Sequence, residues 1–168
     1  RSSAASDVYK RQDGHSAARF DKNLIRGQQL ALEISTGYSL FGRHPQLWLV
    51  SAMPSERSSV AQLRQAIEAQ IADIAANGVS EEELARARVR EESSAVYARD
   101  SVEGQASLIG TLETNGFSHA DEDEIRRRIK AVSSADIQAA AKLLTDPRRQ
   151  VFVRIDPRPA ASAKAKKK

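Results

Sequence analysis

The stretch LALEISTGYSLFGRHPQLWLVSAMP, residues 30–54, decides the fold because it places two strand-like segments in a chain that is otherwise mostly helical in pattern. Its second half, QLWLVSAMP, is rich in large apolar and aromatic residues and stops at Pro54. The link GRHP, residues 42–45, has the Gly and Pro of a tight connection, so we predict an antiparallel hairpin. The first strand alternates, with Leu30, Leu32 and Ile34 on one face and Ala31, Glu33 and Ser35 on the other.

Beyond Pro54 the hydrophobic period changes from two residues to about 3.6, which predicts an amphipathic helix. Asn77 and Gly78 form a helix C-terminal stop signal. Ser80 then predicts the start of a second helix, because Glu83 at the third helical position completes a capping box. The apolar face of the first of these helices consists of Val60, Leu63, Ile67, Ile71 and Ile74.

The remaining elements follow from the same two periodicities. A short helix with Phe20 and Leu24 on its apolar stripe precedes the hairpin, and Ser133 with Asp136 predicts a second capping box late in the chain. The last predicted strand contains RQVFVRI, with Val151, Val153 and Ile155 on one face. The predicted helices cover residues 16–26, 80–100, 102–114, 121–131 and 134–144, and the final strand covers residues 149–155.

Two adjacent strands and one late strand, joined by a long helical excursion, predict an α+β domain with helices packed on an antiparallel sheet. We assign residues 13–156 to this domain. The segment SSAASDVYKRQ, residues 2–12, can be translated back in frame into a transposon adapter used for sequencing libraries. We therefore interpret residues 1–12 as an adapter-derived scar and leave them out of the fold. Since three strands make a thin sheet, we expect an N-terminally truncated domain that lacks one or more strands.

Composition argues against several classes of function. The formal net charge is +4, but residues 1–12 supply +2 and the four tail lysines supply +4, so residues 13–159 carry −2. This balance gives no support to a folded basic face for nucleic acid. No apolar run approaches the length of a membrane span, and the chain has no cysteine for disulfides or thiolate metal sites. The Ala- and Lys-rich tail, residues 157–168, is expected to be disordered.

The residues offer no self-contained catalytic or metal site. The three histidines, His15, His44 and His119, are isolated, and neither H-x-x-E-H nor H-E-x-x-H occurs. His119 with the acids of residues 121–123 is an alternative metal cluster, although acids at a helix start beside a loop histidine are common without a metal. Phosphate-binding loops, dinucleotide fingerprints and the G-x-S-x-G elbow are also absent from the sequence. We predict no catalytic residue and no metal ligand in this chain.

Three segments nevertheless resemble, in their joint order, the later domain of the pitrilysin/insulinase family of zinc metallopeptidases, to which mitochondrial processing peptidase belongs. They are the R-x-Q-x-L-A block at residues 26–31, the NGVSEEEL-x-R-A helix start at residues 77–87 with YARDS at 97–101, and AVSSADIQAAA at residues 131–141. The resemblance implies paired α+β domains that enclose a peptide chamber, with zinc on an H-x-x-E-H helix in an earlier domain. That upstream domain, a second family chain and a peptide substrate are the partners it implies. The resemblance does not specify the cellular compartment, although related bacterial proteins are often periplasmic.

Many family members carry, in this later domain, an Arg and a Tyr seven positions apart that hold the substrate peptide. Arg26 matches the arginine, but Glu33 stands seven positions later and Tyr38 lies too far along. A cation near a helix C-terminus also complements the helix dipole, so Arg26 has an equally good structural explanation. Two hypotheses remain: a chamber-forming fragment of an active zinc endopeptidase, or a non-catalytic, substrate-gripping chain of the same family.

Overall fold

The computed structural model describes residues 19–99 and 101–156, and side chains throughout these ranges except at 94–99. The predictions for residues 1–12 and 157–168, and for His15, fall outside the described residues. The chain is α+β, with one antiparallel hairpin and helices packed on it, as the sequence predicts. The strands are β1 (Ala31–Gly37) and β2 (Leu49–Pro54); the helices are a π-helix that we label α1 (Asp21–Gly27), then α2 (Val60–Asn77), α3 (Glu81–Arg99), α4 (Val102–Thr114), α5 (Glu122–Lys130) and α6 (Ser134–Leu144).

The connection between β1 and β2 is longer than the predicted tight link at residues 42–45. Residues 38–48 all lie outside the two strands. The loop is instead fastened to the C-terminal end of α4: Phe41 meets Phe117 edge to face at 5.9 Å, and Arg43 Nε donates to the Thr114 carbonyl oxygen at 3.0 Å. Because these tertiary contacts hold the loop, the hairpin does not depend on a tight connection at residues 42–45.

A β-bulge in β1 corrects the predicted alternation. Ala31 pairs with Pro54 and Glu33 pairs with Met53, so Leu32 is an extra residue without a partner on β2. The extra residue shifts the phase of the pleat by one. Ala31 and Ile34 are therefore buried against the helices, and Leu32, which was predicted to share a face with Ile34, is exposed.

The helices form two clusters of buried side chains with Trp48 in contact with both. The first cluster joins α1, β1 and α2. It includes the predicted Phe20, which caps α1, Leu24 of α1, and Leu63 and Ile71 of α2. The second joins α2, α3 and α6. Its buried members are Ile74, Ala75, Val79, Leu84, Val132, Ile137 and Ala141.

Local capping sets the ends of these helices. Ser80 Oγ accepts from the Glu83 N–H at 3.2 Å, and Glu83 Oε2 accepts from the Ser80 N–H at 3.0 Å, which confirms the predicted box. The predicted box of Ser133 and Asp136 is also present. A third box, Ser59 with Gln62, begins α2 and was not predicted.

The predicted final strand over residues 149–155 is wrong. The sheet formed by the described residues has two strands, and residues 147–149 form a 3₁₀ turn followed by chain outside any ladder. Phe152 lies against the guanidinium of Arg64 on α2, 4.6 Å from ring centre to Cζ, so this segment meets the helical layer and not a strand edge. Val151 and Ile155 are almost fully exposed. No helix among the described residues has the length and apolarity to cross a bilayer.

Candidate functional site

The hairpin has one covered face and one open face. Ile34 and Thr36 are buried and Val50 packs on the cluster of α1 and α2, which defines the covered face, although Ala52, across from Ile34, is exposed. The opposite face belongs to Glu33 with Met53, Ser35 with Ser51 and Gly37 with Leu49. Leu32, Leu49 and Met53 are 61%, 60% and 55% exposed. We call the side chains of residues 32, 33, 35, 49, 51 and 53 the open face.

Glu33 is the charged side chain of the open face. It lies directly across from Met53 and beside the bulged Leu32. It is exposed and makes no ion pair or hydrogen bond through its side chain within the described part of the chain. The carboxylate therefore stands unpaired beside Leu32 and Met53, and Leu49 lies farther along the same face, across from Gly37.

Arg26, the predicted substrate-binding residue, lies in the last turn of α1. Its Nη2 atom is 2.8 Å from Oδ2 of Asp21, five residues earlier, and its side chain is about half exposed. The wider turn of a π-helix brings residues five apart together, which an α-helix does not. Arg26 thus has a structural partner that the sequence pattern did not indicate, and its role in substrate binding stays a prediction.

Arg19, just before α1, joins three elements through two acids. Its Nε and Nη2 atoms donate to the two carboxylate oxygens of Glu83 at 3.0 and 3.1 Å, and its Nη1 atom lies 2.5 Å from Asp73 Oδ2 on α2. This bidentate geometry is the strong form of an Arg–carboxylate contact. The hydrogen bond from Arg19, with help from the Ser80 N–H, lowers the pKa of Glu83 to about 2. Sequence reasoning assigned Glu83 to capping alone, because no local signal links positions 19 and 83.

We expect Glu83→Gln to destabilise the fold by about 1–2 kcal/mol at pH 6, because glutamine keeps the capping box but loses the ion pair. The shift from 4.5 to about 2 means that the native state holds the charged form. This contribution is complete above about pH 5 and is lost as the pH falls from 4.5 toward 2. For a fully buried group, such a pKa shift would correspond to about 3 kcal/mol of folding stability. Glu83 is partly exposed, so its contribution is smaller.

Urea unfolding of wild type and Glu83→Gln at pH 6 and at pH 3 measures this contribution. The other carboxylates are common to both proteins, so their titration cancels in the comparison. Glu82→Gln is the matched control, because Glu82 pairs with Arg86 at an exposed site and should cost under about 0.5 kcal/mol. A difference between wild type and Glu83→Gln that stays constant from pH 6 to pH 3 would contradict the role of the Glu83 charge.

The alternative metal cluster around His119 is not assembled. The His119 N–H donates to Glu113 Oε1 at 2.9 Å, Asp121 Oδ2 accepts from the Ser118 N–H at 2.8 Å, and Glu122 pairs with Arg126 at 2.6 Å. His44 is exposed in the hairpin loop. Within residues 19–99 and 101–156, no group of three His, Asp or Glu side chains has a geometry that could hold a metal ion. The described residues therefore do not fit a zinc site.

No protein-family model and no curated protein sequence matches the chain. Solved structures do. The inactive peptidase domain of a predicted zinc protease from Bordetella parapertussis aligns with 96% of this chain and 88% of its own, with a TM-score of 0.76 and 15% identity. This chain has the fold of a peptidase domain. A predicted zinc protease from Bordetella pertussis Tohama I gives a TM-score of 0.69 at 16% identity, over 84% of this chain and 77% of that one.

A protease from Helicobacter pylori gives a TM-score of 0.77 at 12% identity over 84% of this chain. The match covers 34% of the Helicobacter protein, so the peptidase-domain fold described here corresponds to about a third of that longer chain. At these identities the likeness extends to the fold and not to individual side chains.

Proposed function

We propose that this chain is the later, chamber-forming domain of a zinc-dependent metalloendopeptidase of the pitrilysin/insulinase type and that it supports binding of a peptide substrate. The observation that carries the proposal is the one-sided hairpin. Helices cover one face, while the other presents Leu32, Leu49 and Met53 to solvent together with small polar side chains. A sheet face of this kind suits the wall of a chamber that holds peptide.

The open face has the properties that an extended peptide requires. Its exposed apolar side chains can contact apolar peptide side chains of more than one type. Ser35 and Ser51 lie between them and provide hydroxyl groups for hydrogen bonds. Unpaired backbone at a strand edge can add a peptide as a further strand, with affinity from main-chain hydrogen bonds and selectivity from alternate side chains. Such a surface holds a substrate without performing chemistry on it.

The zinc chemistry is assigned to an upstream domain. The described residues of this chain bring no three metal ligands together, and its sequence has no H-x-x-E-H. We propose that the metal site, and a second family chain that completes the chamber, lie outside residues 13–156. Arg26 belongs to the proposal as a contact for the peptide, and its Nη2 atom lies 2.8 Å from Asp21 Oδ2.

Sequencing the gene upstream of the codon for Asp13, with adapter bases trimmed, tests this proposal. We expect a homologous domain with an H-x-x-E-H helix. If the upstream region encodes no related domain, or if SSAASDVYKRQ continues into an unrelated genomic reading frame, the proposal is wrong.

A second candidate is a non-catalytic chain of the same family that grips substrate for an active partner. One observation favours it: the peptidase domain that aligns with 96% of this chain is an inactive one. The same sequencing separates the two candidates. A related upstream domain without H-x-x-E-H would establish the non-catalytic chain.

A further inference from the structure

We infer that Glu33 makes the open face selective for extended peptides that carry a basic side chain among apolar ones. The inference rests on the proposed function, since it specifies the class of peptide that the open face holds. Its basis is the position, exposure and isolation of a single carboxylate on a surface that is otherwise uncharged.

The bulge in β1 places Leu32 beside Glu33 on this face. In a regular strand in phase with Ile34, Glu33 would still lie on the open face, but Leu32 would point toward the helices. With the bulge, Leu32 and Glu33 are both exposed while Ile34 is buried. A carboxylate and a leucine are thereby neighbours on the same side of the sheet.

The surroundings of Glu33 favour a cation. Its cross-strand partner is Met53, and the other large side chains of the open face, Leu32 and Leu49, are apolar. No basic side chain of the described chain pairs with it, in contrast to Glu68, which pairs with Arg64 at 2.7 Å, and Glu92, which pairs with Lys130 at 2.8 Å. An apolar peptide that covers this face would therefore bind more tightly with a Lys or Arg opposite Glu33. It would bind more weakly with an Asp or Glu there.

Three heptapeptides test the inference on the full 168-residue chain. They are apolar, carry a fluorescent label and differ only in the central residue, which is lysine, glutamine or glutamate. An exposed ion pair contributes up to about 1 kcal/mol, so we expect the lysine peptide to bind about two- to fivefold more tightly than the glutamine peptide. The glutamate peptide should bind more weakly than both, and added salt should reduce the differences. Fluorescence anisotropy gives the affinities.

Two substitutions at position 33 test whether the Glu33 carboxylate causes the preference among the peptides. Glu33→Gln should remove the preference among the three peptides, and Glu33→Lys should reverse it. Glu56→Gln is the matched control, because Glu56 is exposed in the turn after β2 and the substitution changes the net charge equally. It should leave the preference unchanged. If wild type binds the three peptides equally, or if Glu56→Gln reduces the preference as much as Glu33→Gln, the inference is overturned while the proposed function stands.

Leu49→Ser separates the inference from the proposed function. It should weaken all three peptides by at least about threefold, because it removes apolar area from the open face without changing charge. If no peptide binds, or if Leu49→Ser leaves peptide binding unchanged, the inference and the proposed function are both overturned. Sedimentation velocity on wild type and Glu33→Lys tests whether a second copy of the chain occupies the open face. If wild type is a dimer that binds no peptide, and Glu33→Lys dissociates it, a second copy occupies this face. That result would also overturn both the inference and the proposed function.

Discussion

Ile137→Ala is expected to lower the free energy of unfolding by about 3–4 kcal/mol. Ile137 is fully buried on α6 in the cluster that joins α2, α3 and α6. Removing its outer carbons loses the favourable free energy of burying them away from water. It also leaves a cavity between helices that can only partly collapse. Urea titration should show a lower midpoint with an unchanged slope.

Ile155→Ala is the matched control, since it deletes the same atoms from a side chain that is 91% exposed. It should change stability by less than about 0.5 kcal/mol. A cost for Ile155→Ala comparable with that of Ile137→Ala would mean that residues 151–156 pack into the core. Ile155 would then be buried in solution, contrary to its exposure in the structure.

Interactions within one turn of helix were the part of the fold that the sequence predicted well. The boxes at Ser80 with Glu83 and at Ser133 with Asp136 join residues three apart, so their chemistry can be read without knowing the tertiary structure. The same holds for the buried stripe of α2, which repeats at the helical period.

The errors concern contacts between residues that are distant in sequence or depend on a change of backbone geometry. Alternation predicted the strand face of Leu32, but a single extra residue in β1 reversed it. The terminal segment has the composition of a strand, but a strand also needs a partner edge, which composition does not specify. Arg19 and Glu83 lie 64 positions apart, and no local pattern connects them.

The candidate site was predicted in part for the same reasons. The position of Arg26 near the end of a helix followed from local pattern, whereas its contact with Asp21 depends on the π-helical turn. Glu33 stands at the position where the family resemblance implies a tyrosine. Its place on an exposed face, across from Met53, became clear only from the register of the hairpin.

Gly78→Ala is expected to cost about 3 kcal/mol. Gly78 ends α2 with φ +71° and ψ −149°, a backbone conformation that is open almost exclusively to glycine. A Cβ atom there would also lie 2.9 Å from Ser134 Oγ. That hydroxyl cannot easily retreat, because it donates to the Val79 carbonyl oxygen at 2.7 Å and accepts from the Val79 N–H at 3.1 Å.

Gly116→Ala separates the two contributions. Gly116 also has a positive φ, +86°, but no atom lies within 4 Å of the place where its Cβ would stand. Its substitution should cost only the backbone strain, about 1–2 kcal/mol. Ser134→Ala combined with Gly78→Ala should cost less than the sum of the single changes, because the hydroxyl that meets the new methyl group is gone. If Gly78→Ala costs no more than Gly116→Ala, and the double variant is additive, then α6 does not approach the α2–α3 turn as closely as the Val79–Ser134 hydrogen bonds require.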